Sequence, residues 1–235
     1  RRPYPGVTTI LRQMPKDNLI GWASRASADY ATDHWDDLAE LKPSERNALI
    51  RGAANEDRDT QGRRGTQVHR LAEQLVQGVQ VEVPEPLAGH VDSYLRWLDD
   101  YDPDPLATEL VVANRRVRYC GTADLVAHML GEVWLLELKT ARSGIWRESA
   151  LQACAYAHAE TYTIAGGDGE EHPLSELGIT RAGAVHIRAD GADLRPLETG
   201  PEVWAYFRRL AWMHHHDDAT KGWVGDALVP LRAAS

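Results

Sequence analysis

Cysteine is scarce in this chain: Cys120 and Cys154 are the two thiols in 235 residues. Two cysteines give no disulfide framework and suit a reducing compartment. An iron–sulfur cluster takes four, so none is expected. No apolar stretch nears the roughly 18 residues that a membrane span needs, and no signal-peptide pattern is present. A cytoplasmic protein without a membrane partner is the expectation. Internal repeats and low-complexity tracts are missing. So are a nucleotide-cradling Gly-rich loop, which argues against small-molecule phosphate chemistry, and any Ser-His-Asp or Cys-His constellation for nucleophilic catalysis. Net positive charge is lacking as well: the formal charge is −9, whereas nucleic-acid proteins usually carry a basic footprint. The chain opens Arg1-Arg2 without a Met, so a preceding piece is expected.

What is present centres on Cys120-Gly121-Thr122-Ala123-Asp124 and Leu136-Glu137-Leu138-Lys139-Thr140. The pattern reads as two strands joined by a two-residue turn at Leu130-Gly131, where Gly can take a positive φ. That register pairs Met129 with Glu132 and, counted inward, sets Asp124 opposite Glu137 on one face. Val133, Leu135, Glu137 and Lys139 share a face because side chains alternate. Two carboxylates and an ammonium then stand where strands usually bury hydrophobes. Like charges so close need positive charge between them. Oxygen donors without a thiolate cage point to Mg²⁺ or Mn²⁺. The plainer alternative is a surface Glu137–Lys139 ion pair on a half-exposed strand.

Around this stretch the chain reads as one domain over 1–235, with helices over 1–64, a core over 65–200 and a closing helix and tail over 201–235. Asp17 is placed to cap a helix running to about Glu40, with Trp22 and Trp35 as packing residues. Ser44 is placed to cap another. Asn55 to Arg64 reads as a solvated helix face or a loop. Gly65-Thr66 opens a helix through Gln77, on which His69 and Glu73 lie four apart and share a face. Leu87, Val91, Tyr94, Leu95 and Leu98 define the next helix. Strands are expected at 108–113, 117–127, 132–139 and 182–189, a further partner at 193–197, and helices at 146–163 and 201–217. Ile164 to Gly178 reads as a loop. Glu109, early in the first strand, is free to face solvent. His214-His215-His216 is a surface run, since neighbours on a helix point about 100° apart and three in a row chelate one ion badly. The fold class is therefore α/β, a mixed central sheet flanked by helices with an N-terminal helical extension. Arginines gather at Arg63-Arg64, Arg115-Arg116 with Arg118, and Arg142 with Arg147, enough for a local basic groove on an acidic body.

At Gly121-Thr122-Ala123-Asp124, Glu137-Leu138-Lys139 and Gln152-Ala153-Cys154-Ala155-Tyr156 the chain resembles the PD-(D/E)XK nuclease superfamily, and within it the RecB-like/Cas4-like exonuclease branch with its phage-encoded members. The resemblance runs from about Gly65 to Asp190 and implies a restriction-endonuclease-like αβββαβ core. It implies a metal-dependent DNA exonuclease with one or two Mg²⁺ or Mn²⁺ ions held by His69, Asp124, Glu137 and the Leu138 backbone carbonyl. Lys139 would orient or deprotonate the attacking water or stabilise the charged phosphorus, with Gln152 and Tyr156 at the phosphate. Glu73 stands behind the ligands, and Glu109 matches an acidic residue that relatives often carry ahead of the Asp strand. The arginines named above would contact DNA. Also implied are a recombination, repair or phage setting in a host cytoplasm and a single-strand-annealing or recombination partner, with a homo-oligomer left open. Two alternatives stay in view: a structure-specific endonuclease with the same site, and a non-catalytic DNA-binding or assembly protein that kept the fold.

Overall fold

The computed structural model describes residues 3–15, 17–141, 144–164 and 169–227. Its N-terminal helices are α1 (Val7–Ile10), α2 (Asp17–Asp33), α3 (Trp35–Ala39), α4 (Pro43–Val76) and α5 (Ala88–Tyr101). Three strands follow, β1 (Asp104–Asn114), β2 (Tyr119–Met129) and β3 (Glu132–Lys139), then α6 (Arg147–Ala157). The chain closes with β4 (Thr161–Thr163), β5 (His172–Pro173), β6 (Arg181–Arg188), β7 (Gly191–Pro196) and α7 (Pro201–Thr220). Among the described residues seven strands form one sheet in the order β5-β4-β1-β2-β3-β6-β7. The β3–β6 pair is parallel and the other pairs are antiparallel, so the sheet is mixed and the class α/β. No helix among the described residues is long and apolar enough to cross a membrane.

The β2–β3 turn follows from its residues. Leu130 and Gly131 both take positive φ, 53° and 77°, the pattern that matches the natural twist of a tight hairpin. Met129 pairs with Glu132 as the spacing requires. Alternation along β3 then feeds two cores. Leu135 packs with Val7 and Ile10 of α1, Leu151 of α6 and Phe207 of α7. Trp134, Leu136 and Leu138 pack with Val68 and Ala72 of α4 and with Tyr94 and Trp97 of α5. Both faces of the strand are covered, which is why it reads as a nearly unbroken apolar run.

Several boundaries depart from the sequence reading. The helix expected to open at Gly65 is the second half of α4, an unbroken 34-residue helix about 51 Å long at ~1.5 Å per residue. The polar run 55–64 contains no Pro, and Gly62 costs only about 1 kcal/mol in a helix. Side-chain pairs such as Gln61 donating to Asp57 at 3.0 Å add support. Lys42 caps α4 ahead of Pro43, its N–H donating to Glu45 at 3.3 Å, so Ser44 is not the cap. The helix from Asp17 breaks at His34 instead of reaching Glu40. Trp35 is 67% exposed and packs into neither core. On α5 the buried face turns toward Trp97, leaving Leu95 exposed.

The helix after Trp146 ends at Ala157, not near Thr163. Glu160 N–H donates to Ala113 C=O at 2.8 Å, and Thr161–Thr163 then pairs with Val111–Ala113. The β-branched threonines and Tyr162 favour that extended edge over helix. The stretch 164–178, read as a loop, carries β5 and a 3-10 turn over Leu174–Leu177.

Candidate active site

The β2–β3 ladder runs from Met129/Glu132 to Leu125/Leu136 and stops one pair short of Asp124 and Glu137. Where the strands part, the Asp124 side chain takes over the acceptor role: Leu138 N–H donates to Asp124 Oδ2 at 2.7 Å. The other oxygen, Oδ1, lies 3.4 Å from His69 Nδ1 on α4. Asp124 therefore ties β3 to α4, while its charge still acts on the neighbouring Glu137. Burial works against a charged His69 ring, but the hydrogen bond and negative charge of Asp124 outweigh it and raise its pKa.

Glu137 makes its hydrogen bonds on the α6 side and is 1% exposed. Its Oε2 accepts from Lys139 Nζ at 3.1 Å and from Gln152 Nε2 at 2.8 Å. Lys139 Nζ also donates to Gln152 Oε1 at 3.0 Å. Gln152 Nε2 reaches the Tyr156 hydroxyl at 3.0 Å. Four of the expected residues thus form one connected network. The surface ion-pair alternative fails because the carboxylate is buried. Desolvation, with the nearby Asp124 charge, pushes the Glu137 pKa well up, and Lys139 opposes this only in part. Its second oxygen, Oε1, is buried without a hydrogen-bond partner among the described residues. Such a group costs several kcal/mol when left alone, so its retention needs a reason.

Two glycines let these elements meet. A Cβ at Gly121 would stand 2.3 Å from Tyr156 Cε1, so the Tyr ring lies directly on the bare strand. A Cβ at Gly65 would come within 3.1 Å of Thr140 Oγ1, where α4 passes the end of β3. Gly65 is therefore a crossing point within a helix, not its start.

On the α4/α5 side a narrow pocket is lined by His69, Glu73, Tyr94, Glu109, Asp124 and Leu138, among others. Glu109 holds a left-handed φ of 48° and its carboxyl pKa is raised, first by burial and then by Asp124 and Glu73. It is half-buried in the pocket wall rather than free in solvent. Sequence reasoning took Tyr94 for a packing residue. Its hydroxyl gives no periodic signal that would separate it from the rest of the helix face.

The arginines divide. Arg63 and Arg64 lie on α4 five or six residues before His69, and Arg147 opens α6 five residues before Gln152. Each offset is about one and a half turns, ~8 Å along the axis, so these side chains do not share the helix face of His69 or Gln152. Arg115, Arg116 and Arg118 lie instead at the β1–β2 turn, and Arg118 is ~20 Å of strand away from Asp124. There Arg115 pairs with Glu171 and Arg116 with Glu160, so the expected single basic groove is not assembled from all of them. Arg142 lies outside the described residues. The roomier cleft, lined by Tyr4, Arg12, Arg118, His214 and Asp217, contains no other expected site residue.

Among the described residues no three His, Cys, Asp or Glu side chains are grouped so that they could hold a metal ion as they stand. The donors nonetheless fit a hard divalent cation. Asp124 and Glu109 with His69 line one pocket, and among the described residues the buried Glu137 Oε1 is unpaired and no thiolate lines that pocket, a donor set suited to a hard cation. No family model matches the chain, and no curated protein matches it. Among solved structures, the crystal structure of SSO0001 is 15% identical with a TM-score of 0.32, over 57% of this chain and 61% of that one. The chain thus spans about three fifths of that protein, and a likeness at this level carries no argument about fold or function.

Proposed function

We propose that this protein is a metal-dependent deoxyribonuclease that hydrolyses phosphodiester bonds, acting from DNA ends. The observation that carries this reading is the buried Glu137–Lys139–Gln152–Tyr156 network beside the Asp124–His69 pair. A purely structural strand would have little use for a buried carboxylate with one oxygen unpaired among the described residues.

Asp124, Glu137, His69 and the Leu138 carbonyl would hold Mg²⁺ or Mn²⁺, which supplies a more acidic bound water and neutralises phosphate charge. The chain's own residues do the rest. Asp124 is fixed by the Leu138 N–H and the imidazole, so its carboxylate enters the reaction already oriented. Lys139, held from two sides by Glu137 and Gln152, presents a positive charge where the phosphorus gains negative charge, with little reorganisation. Gln152 keeps the lysine and Glu137 in register, and the Tyr156 hydroxyl braces Gln152. Arg63, Arg64 and Arg147, on the same two helices, would contact the DNA backbone, whose neutralisation makes binding salt-dependent.

The test compares the protein with Lys139→Ala on end-labelled linear duplex, linear single strands and closed circular DNA, with Mg²⁺, Mn²⁺ or EDTA. Metal-dependent loss of linear DNA alone, absent in the variant, is the expected result. Nicked circles would instead point to an endonuclease. Binding without cleavage by both proteins would leave a non-catalytic DNA-binding protein.

A further inference from the structure

The pocket on the α4/α5 side carries more negative charge than the proposed ligand set uses. Besides Asp124, it is lined by Glu73 and Glu109, and among the described residues His69 is the only basic side chain there. Glu109 reaches it from a backbone conformation that non-Gly residues seldom adopt, φ 48°, and such strain persists where surrounding structure enforces it. A carboxylate cluster alone is not a site. Tyr94 supplies a separate observation. It is 1% exposed, lines the same pocket, and its hydroxyl has no hydrogen-bond partner among the described residues. Buried hydroxyls are nearly always satisfied, so this one is aimed at something that the protein chain does not supply.

We propose that the pocket is where the divalent cation sits, that Glu109 is a direct oxygen ligand beside His69 and Asp124, and that the Tyr94 hydroxyl donates to an oxygen bound there. This rests on the reading of the chain as a metal-dependent nuclease, and it adds two residues from β1 and α5 to that site. The donor set is oxygen-rich with one imidazole, as a hard cation such as Mg²⁺ or Mn²⁺ prefers. Three carboxylates around one imidazole also lose much of their mutual repulsion once a dication is bound.

Mn²⁺ binding to the whole protein, followed by electron paramagnetic resonance and by calorimetry, tests this without reference to cleavage. The variants are Asp124→Asn, Glu109→Gln, Glu109→Gly and Tyr94→Phe. Glu109→Gly suits the left-handed backbone, so it separates loss of the carboxylate from loss of the fold. Circular dichroism checks that each variant remains folded. The expected result is loss of binding in Asp124→Asn, about tenfold or greater weakening in both Glu109 variants, and a smaller weakening in Tyr94→Phe. Unchanged Mn²⁺ affinity in both Glu109 variants, with binding lost in Asp124→Asn, would overturn the role of Glu109 and leave the nuclease reading standing. No Mn²⁺ binding by the unaltered protein would overturn both.

Discussion

Strand β3 presents two flanks that solve the same electrostatic problem differently. Toward α6, Glu137 is buried but paired: Lys139 and Gln152 both donate to it, and Tyr156 holds Gln152. Toward α4 and α5, the carboxylates of Asp124, Glu109 and Glu73 share a pocket with one imidazole and a tyrosine hydroxyl that has no hydrogen-bond partner among the described residues. The first flank is organised by internal hydrogen bonds, which hold a charge in place before any ligand arrives. The second keeps negative charge in excess, which suits a ligand of opposite sign. Asp124 joins them through the Leu138 N–H on one side and His69 on the other.

The sharpest way to break this comparison is to remove one charge from each flank. Lys139→Ala and Asp124→Asn are each expected to lower cleavage of linear DNA by roughly 10³-fold or more, the first by removing a positive charge at the reacting phosphate and the second by removing a carboxylate that would hold the cation. Gel-based rates under single-turnover conditions would measure this. If only one of the two lost activity, the flanks would not be parts of one site.

A steric test comes next. Gly121→Ala places a methyl group 2.3 Å from the Tyr156 ring, and either the strand or α6 must move. Overpacking of this kind costs about 1–3 kcal/mol, measurable by urea denaturation. The double variant Gly121→Ala with Tyr156→Ala should show less than the sum of the single losses, because the clash is gone. Additive losses would mean that the ring and the glycine do not meet.

Glu137 allows a test by pH. Its carboxyl pKa is raised in the folded protein by burial and by Asp124, so the native state holds this proton more tightly than the unfolded chain does. Its contribution to stability is then present below the ordinary carboxylate range and lost as pH rises through the raised native value. In metal-free buffer Glu137→Gln should flatten that decline and melt at a higher temperature than the unaltered protein near pH 8, while cleaving DNA poorly. A variant less stable at every pH would show that pairing with Lys139 outweighs the cost of burial.

The smallest effect is expected from Tyr156→Phe. Gln152 Nε2 keeps Glu137 as acceptor and loses only the phenol oxygen, a change of about 1 kcal/mol. Thermal denaturation and the rate of cleavage should both shift slightly. A loss of activity as large as that of Lys139→Ala would instead give Tyr156 a direct role at the phosphate.

Much of the α6 flank was legible in the sequence because it depends on short-range rules. The period of two along β3, the Leu130-Gly131 turn and the four-residue spacing of Gln152 and Tyr156 each fix a direction from neighbouring residues alone. The strand 132–139 was found to the residue, whereas Gln152 and Tyr156 were joined to Glu137 and Lys139 only by the resemblance to the nuclease superfamily. The helix limits were less legible. Gly65 looked like a start signal because glycine commonly punctuates helices, whereas here its missing side chain makes room for Thr140. Thr161–Thr163 became a strand because an open edge of β1 was available, a fact that no local window contains.

The sequence by itself determined the alternation that sends Glu137 and Lys139 one way and Leu136 and Leu138 the other, along with the hairpin that sets β2 against β3. Those features follow from backbone geometry and from which residues can take positive φ. Only the tertiary structure decided that Asp124 turns toward His69, that Glu109 and Tyr94 face the same pocket, and that Arg115 and Arg116 are held by acids at a distant turn. Each of those depends on which distant elements come close enough to share charge, and charge acts through space rather than along the chain.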